Sequence, residues 1–275
     1  MTKSQSRWRP KFMRELRESA ETLGIIGAVS QTLERDNVTI CVDGDIDRLE
    51  RHEGGILFVG DHQNRWEFVP LMGVLARIGR ADMRNIAKFY VQRQISSALG
   101  SAAAENILPV YPRILASDRK GYNSESINRA FFRKQLLSLE ESSIATNKSV
   151  REATDFLADG GAVNIYPCGS VVQTATHPWR EGVGRIIQQL PEGVRENTLV
   201  APYRLRDFSA ARFVSAVALR GMGLAGRPQD IHFELAPLQT ADEIIAAVSD
   251  GSGTNPSAVT EHLRQSYVEY FHPES

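Results

Sequence analysis

The chain has 275 residues, of which 42% are hydrophobic, so it is long enough to bury a substantial core in one large domain or two small ones. Its 32 lysine and arginine residues almost balance its 33 aspartate and glutamate residues, which excludes a general electrostatic attraction to nucleic acid. The two cysteines, Cys41 and Cys168, have neither metal-ligand spacing nor a disulfide framework, which is typical of a reducing compartment.

The N-terminal segment bears on the location of the protein. Residues 1–10 lead into mixed charge instead of an apolar signal segment, and no stretch reaches the ~18 consecutive apolar residues of a membrane span. We therefore expect a cytoplasmic protein.

Residues 1–18 are rich in basic and aromatic side chains, namely Arg7, Trp8, Arg9, Lys11, Phe12, Arg14 and Arg17. This composition suits peripheral contact with the anionic inner face of a membrane, and it equally suits a solvated helix folded back on the domain.

The first part of the chain alternates helical and strand patterns. Loosely helical apolar spacing predicts one or two helices over residues 11–35, interrupted near Gly24 and Gly27. A β-branched run over residues 38–42 predicts a strand. The uninterrupted apolar run over residues 56–59 predicts a central strand that is buried on both faces.

The same alternation continues to the end of the chain. Further strands are predicted over residues 85–91, 107–111, 162–166, 199–203, 213–219 and 231–236. Further helices are predicted over residues 66–79, 92–99, 117–135 (with a loop), 146–157, 179–190, 242–248 and 256–271. Pro109 favours an edge strand or a strand end. The pattern predicts an N-terminal helical segment, 1–37, and one α/β domain, 38–275, with a central, mostly parallel mixed sheet flanked by helices.

A histidine and a carboxylate follow the central strand, five residues apart, as His62 and Glu67. Two side chains at this spacing on one helix diverge by ~140°, so they can touch only if His62 lies in the turn before the helix and Glu67 in its first turns. A carboxylate in contact with a histidine fixes its tautomer and stabilises its protonated form. The alternative is that Asp61 caps the helix and His62 is a solvated turn residue.

Four blocks in this order make the chain resemble the glycerolipid acyltransferase superfamily, of the lysophosphatidic-acid type. The first block of the family is matched by His62 and Glu67, and the second, which ends in an arginine after a strand, by residues 108–113. The third is similar to residues 166–171, at the turn that follows the strand predicted over residues 162–166. We expect this turn and the turn after the central strand to form two rims of the site that face each other. Residues 179–182 resemble the basic step that follows, and residues 200–202 the proline-containing fourth block.

The resemblance implies acyl transfer from acyl-CoA or acyl carrier protein to a hydroxyl of a lipid or other acceptor. It implies that His62 is the general base and Glu67 its partner, with no metal and no cofactor apart from the thioester co-substrate. A role in substrate binding is implied for Arg65, Arg113, Cys168, Gly169, Ser170 and Arg180. Because Cys168 and Val171 stand where the family has a glutamate and an arginine near its phosphorylated acceptor, we expect a neutral acceptor.

Two other functions are compatible with the same residues. Cys168 lies at a strand-to-turn junction, where a cysteine nucleophile would give a transacylase or a thioester hydrolase with a covalent acyl-enzyme. The departures in the third block are also compatible with a protein that keeps the fold and binds lipid without catalysis. Trapping of an acyl-enzyme would favour the first alternative, and the absence of thioester turnover would favour the second.

Overall fold

A computed structural model shows an α/β protein with a mostly parallel mixed sheet flanked by helices. It describes residues 5–60, 67–88, 91–92, 104–110, 139–168, 178–209, 229–249 and 254–273. The strands are β1 (Val38–Asp43), β2 (Gly55–Gly60), β3 (Met83–Lys88), β4 (Ile107–Val110), β5 (Ala162–Ile165), β6 (Thr198–Arg206), β7 (Gln229–Leu235) and β8 (Gln239–Thr240). The described strands form one sheet in the order β1-β7-β6-β2-β5-β3-β4, with β8 also paired to β6.

Five adjacent strands of the sheet run in the same direction. β6, β2, β5, β3 and β4 are parallel, whereas β7 and β8 pair with β6 in the antiparallel sense and β1 runs parallel to β7. The carboxyl ends of the five parallel strands therefore lie along a single edge of the sheet. We call this the carboxyl edge, and it is where open α/β sheets place their ligands.

The helices cover both faces of the sheet. They are α1 (Gln5–Arg35), α2 (Ile46–Arg51), α3 (Phe68–Arg77), α4 (Leu139–Ala158), α5 (Gly182–Gln189), α6 (Glu192–Arg195), α7 (Ala241–Val248) and α8 (Pro256–Phe271). One apolar cluster packs α1 and α3 on one face, and a second packs α4, α5, α7 and α8 on the other. Every residue of β2 is buried, so the prediction of a central strand covered on both sides is confirmed.

Most of the predicted elements are present, with shifted ends. The helix predicted over residues 66–79 begins at Phe68, and the helix predicted over residues 179–190 begins at Gly182. α2 was missed because its six residues are too few to show a helical period. The predicted strand over residues 213–219 and the predicted helices over residues 92–99 and 117–135 lie wholly or largely outside the described residues.

The N-terminal helix is a hairpin folded at Gly24, which has φ 70° and ψ 168°. The Ser19 hydroxyl lies 3.3 Å from the Gln31 side-chain oxygen, and Glu15 forms an ion pair with Arg35 at 3.5 Å. In a straight helix these pairs would be ~18 and ~30 Å apart, so the two halves must run antiparallel. The predicted interruption at Gly24 is confirmed. The second half belongs to the core through Ile26, Ala28, Val29 and Leu33.

The opposite, amino edge of the sheet is held together by Arg80. Its guanidinium group donates hydrogen bonds to the backbone carbonyls of His52, Gly54 (3.0 Å) and Gly160 (2.6 Å). The guanidinium group has five N–H donors in one plane, which suits this arrangement because three backbone carbonyls from two chain segments point toward it. Gly160 has φ 82° and follows α4, so it adopts the left-handed conformation in which glycine commonly ends a helix.

A glycine at the end of β2 makes room for a tyrosine of the neighbouring strand. Gly60 is paired in register with Tyr203 of β6, whose side chain is fully buried. A Cβ atom at position 60 would lie 2.5 Å from Cζ and 2.6 Å from the hydroxyl oxygen of Tyr203. The phenol ring of Tyr203 therefore lies directly over the backbone of Gly60.

Replacing Gly60 by alanine tests how closely the Tyr203 ring packs against this position. We expect Gly60→Ala to lower the free energy of unfolding by ~1–3 kcal/mol, because Tyr203 is enclosed by the core and cannot move aside without strain. Gly193→Ala is the control, since nothing lies within 4 Å of a Cβ atom there. It should change stability by less than ~0.5 kcal/mol. Urea denaturation followed by circular dichroism measures both changes, and equal midpoints for the two variants would contradict the close packing.

Candidate functional site at the carboxyl edge

The predicted site residues follow strands that lie side by side. β2 pairs with β5 with Val59 opposite Ile165, so the segments that leave these two strands start from neighbouring points on the carboxyl edge. His62, Arg65 and Glu67 follow the first strand, and Cys168 follows the second. The strands from which the two rims start are therefore neighbours, and the expectation that the rims face each other stays a prediction.

Glu67 is the one member of the predicted histidine and carboxylate pair that the structure describes. It immediately precedes α3 and is 2% exposed. It lies at the N-cap position instead of within the first turns, yet its side chain makes no capping hydrogen bond with the helix. Helix capping therefore does not explain its burial. A carboxylate that is buried without this structural role is a candidate for a functional one.

Four polar side chains form a continuous hydrogen-bonded group on the α3 face of the sheet, and we call this group the polar strip. Asn164 of β5 donates through Nδ2 to Oδ1 of Asn85 on β3, at 2.8 Å. The Tyr203 hydroxyl donates to Oδ1 of Asn164, at 3.1 Å, and lies 3.3 Å from the hydroxyl of Tyr166. Asn85 Nδ2 is buried and has no hydrogen-bond partner among the described residues. The strip joins β3, β5 and β6 across the intervening β2, just below the carboxyl edge.

The electrostatics of the polar strip connect it to Glu67. Burial raises the pKa of the Tyr166 hydroxyl well above its ordinary value, and the nearby Glu67 carboxylate raises it further. Burial is also the main cause of the raised pKa of Tyr203, with contributions from Tyr166 and from Glu67. Both phenols therefore stay protonated at any working pH. They are permanent hydroxyl groups beside a buried carboxylate.

The other predicted site residues differ in their surroundings. Cys168 is buried in the apolar cluster on the α5 and α8 face, and Arg180 is exposed, with its backbone N–H bonded to the Pro167 carbonyl at 3.0 Å. His62, Arg65, Arg113, Gly169 and Ser170 lie outside the described residues. A catalytic cysteine usually lies in a partly exposed, electropositive position, so the burial of Cys168 favours a packing role.

The polar strip is a part of the candidate site that was not predicted from the sequence. A signal for it was present, because Asn164 is a single amide within the apolar strand Ala162–Ile165. A buried amide needs hydrogen-bond partners, and this alone predicts further polar side chains on the same face of neighbouring strands. Tyr166 was matched to the third block but was given no role.

The described part of the chain lacks two further kinds of feature, a cluster of metal ligands and a membrane-spanning helix. It contains no group of three or more histidine, cysteine, aspartate or glutamate side chains that could hold a metal ion. Within the same residues, no helix combines the length and the apolar character needed to cross a membrane.

Comparison with known proteins adds no assignment. A scan against models of protein families gave no match, and a search of curated proteins gave no significantly similar sequence. The function must therefore be argued from the residues themselves.

Because the pKa of Tyr203 is raised, the stability of the wild-type protein and that of Tyr203→Phe should depend differently on pH. Tyr203→Phe should lower the free energy of unfolding at pH 8 by ~1–2 kcal/mol, because Asn164 loses a hydrogen bond. Above pH ~10 the unfolded wild-type protein loses the Tyr203 proton while the folded protein keeps it, so wild-type stability falls by up to ~1.4 kcal/mol per pH unit from this group alone. Tyr203→Phe has no hydroxyl at this position, so its stability does not fall for this reason.

The gap between wild type and Tyr203→Phe should therefore narrow as the pH rises from 10 to 11.5. Urea denaturation at each pH measures the gap, and Tyr270→Phe, at a half-exposed tyrosine, is the control. A constant gap for Tyr203→Phe would show that the Tyr203 hydroxyl has an ordinary pKa in the folded protein.

Proposed function

We propose that this protein is an acyltransferase that moves an acyl chain from a thioester donor, acyl-CoA or acyl carrier protein, to a hydroxyl of a lipid or other acceptor. The observation that carries the proposal is the buried carboxylate of Glu67, five residues after His62 in the sequence, at the carboxyl edge and beside the phenols of Tyr166 and Tyr203. We further propose that the α/β fold is of the glycerol-3-phosphate acyltransferase type.

The burial of Glu67 suits the role of partner to a general base. A histidine that takes a proton becomes positively charged, and a carboxylate in a low-dielectric position stabilises that charge far better than one in water. The Tyr166 and Tyr203 hydroxyls cannot themselves ionise at working pH, so the carboxylate is the one anion of this group. These properties support Glu67 as the group that orients His62 and balances its charge.

The proposed reaction has a simple balance of bonds and protons. The His62 imidazole takes the proton of the acceptor hydroxyl while the hydroxyl oxygen attacks the thioester carbonyl carbon. The new C–O bond gives a tetrahedral oxyanion, and its collapse breaks the C–S bond. The imidazolium returns the proton to the leaving thiolate, so His62 and Glu67 end in their starting states.

The order of the blocks along the sheet supports the family-level assignment. The segments matched to the first and third blocks leave the neighbouring parallel strands β2 and β5, the second begins within β4 and extends past its end, and the fourth lies in β6. In an open parallel sheet these segments converge on one edge. Arg65, Arg113 and Arg180 remain candidates for binding an anionic part of the substrate, with Gly169 and Ser170 nearby in sequence.

Single substitutions test the catalytic proposal. We expect His62→Ala and Glu67→Gln each to lower kcat/KM by ~10²- to 10⁴-fold with the fold retained, because both act on the proton in the transition state. Glu196→Gln, at an exposed carboxylate, is the matched control for Glu67→Gln. The assay supplies a labelled acyl thioester with neutral and phosphorylated acceptors, and mass spectrometry identifies the product.

Cys168→Ser separates this mechanism from one with a cysteine nucleophile. It should leave transfer near the wild-type rate, because Cys168 packs in the core. Loss of transfer in Cys168→Ser together with a trapped acyl-enzyme in the wild type would favour the thiol mechanism. Retained transfer in His62→Ala would exclude His62 as the base, and absence of thioester turnover in the wild type would favour a lipid-binding protein.

We propose in addition that the first half of α1 contacts an anionic membrane surface peripherally. This half is held to the second by contacts such as the Glu15–Arg35 ion pair, in which both side chains are 39% exposed, and such pairs contribute little stability. Deleting residues 1–18 should weaken binding to anionic vesicles, more strongly at low salt. A variant with Arg7, Arg9, Lys11 and Arg14 changed to glutamine should bind as weakly, and neutral vesicles provide the control. Unchanged sedimentation with anionic vesicles would contradict the proposal.

A further inference from the structure

A polar cavity of ≈360 Å³ lies on the face of the sheet opposite α3, between α4, α5 and the start of α8. Its lining residues are Asn147, Arg151, Arg185, Gln188, Gln189 and Pro256. None of them belongs to the predicted site. The cavity is therefore a separate feature that the proposed chemistry has not used.

The cavity carries an excess of positive charge. Arg185 is held in place because its guanidinium donates to Asn147 Oδ1 at 3.3 Å and to Glu181 at 3.2 Å. The second oxygen of Glu181 accepts a hydrogen bond from Ser257 at 2.6 Å, so this carboxylate is itself fixed. Arg151 has no ion pair or hydrogen bond with any other described residue. The lining thus contains two guanidinium groups and no carboxylate, and only Arg185 of the two is paired with Glu181.

Hydrogen-bond donors predominate in the lining. The side-chain oxygen of Asn147 is taken by Arg185, which leaves its amide N–H groups as donors. Arg151 and Arg185 have donors and no acceptors. Gln188 uses its amide nitrogen to bond the Thr254 carbonyl, which leaves its oxygen as an acceptor, and Gln189 has one acceptor oxygen and one donor amide group. A ligand with several acceptor oxygens and negative charge matches this set, and guanidinium groups bind phosphate in a bidentate manner.

The size and position of the cavity indicate that its ligand is a phosphorylated molecule larger than a phosphate ion. Its volume of ≈360 Å³ falls within the ~300–1,000 Å³ of small-molecule sites, which is more than a phosphate group alone requires. α5 begins at the carboxyl edge, where the Arg180 backbone N–H bonds to the carbonyl of Pro167, just after β5. Arg185 and Gln189 lie ~5 and ~10 Å along the α5 axis from Gly182.

We propose that this cavity binds a phosphate monoester. If the function proposed above holds, this monoester is the phosphorylated nucleotide end of a coenzyme A thioester donor. The thioester would then extend from the α4 and α5 surface to the carboxyl edge. A carrier-protein donor has no nucleotide to occupy the cavity. Arg151 and Arg185 are the residues that bind the phosphate.

Isothermal titration calorimetry tests the binding site without catalysis. Adenosine 3′,5′-bisphosphate should bind the wild-type protein, and Arg151→Gln and Arg185→Gln should each weaken binding ~10- to 100-fold, as expected for loss of a hydrogen-bonded charge. Lys148→Gln removes the same charge from α4 at a residue outside the cavity lining and should leave binding unchanged. Inorganic phosphate and adenosine serve as the comparison ligands. Circular dichroism establishes that each variant is folded.

Kinetics then test the assignment to the donor. In Arg151→Gln, KM for an acyl-CoA should rise about tenfold while KM for the acyl N-acetylcysteamine thioester, which has no nucleotide, stays constant. No binding of the bisphosphate by the wild type, or equal binding by Arg151→Gln, would overturn the phosphate site. Binding of inorganic phosphate but not of the bisphosphate would overturn the nucleotide assignment. Binding of the bisphosphate without any acyl transfer would overturn the proposed function and leave the phosphate site in place.

Discussion

The register of β2 with β5 and β6 is the constraint on which the candidate site depends. Phe58 lies opposite Asn164 on one side and Ala201 on the other, so side chains of the same face are aligned across three strands. This alignment brings Asn164, Tyr166 and Tyr203 together on the α3 face. Because side chains alternate between the faces, a slip of one residue would move Asn164 into the apolar cluster on the opposite face. Its hydrogen bonds to Asn85 and Tyr203 would be lost.

The site also depends on a balance between buried polar groups and the surrounding core. A carboxylate, two phenols and two amides lie at or just below the carboxyl edge, and burying such groups is unfavourable unless they are hydrogen-bonded. The polar strip satisfies most of these groups with one another. Apolar clusters on both faces of the sheet supply the stability that the site itself does not. The low dielectric of this surrounding is what makes the charge of Glu67 effective.

Much of the fold could be predicted from the sequence because its strongest signals are local. The apolar run in β2, the proline at position 109 in β4 and the glycine at position 160 each fix one conformation with little help from the rest of the chain. α2 was missed because its evidence is a single capping bond, in which Asp45 accepts from the Arg48 N–H at 3.1 Å, and two buried side chains. The helical hairpin of α1 was beyond prediction, since Gly24 marks a break but not its angle.

The candidate site was predictable to the extent that its residues follow strands in sequence. His62, Glu67 and Cys168 could be proposed because each follows an apolar run, and neighbouring parallel strands bring such positions together. Tyr203 and Asn85 could not be proposed in this way, because they lie within strands whose neighbours are distant in sequence. Their hydrogen bonds to the same Asn164 side chain follow from the strand order β6-β2-β5-β3, which no local pattern determines.

The hydrogen bonds of Arg80 have a consequence for how this protein can change over evolutionary time. They join the segments before β2 and before β5 at the amino edge, at the opposite end of these strands from the edge where Glu67 lies. The start of each central strand is thus anchored independently of the residues that follow its end. Segments at the carboxyl edge can accept substitutions that alter the candidate site while the anchored ends preserve the strand order. The same separation makes the carboxyl edge the natural region in which to test or redesign the specificity that we propose.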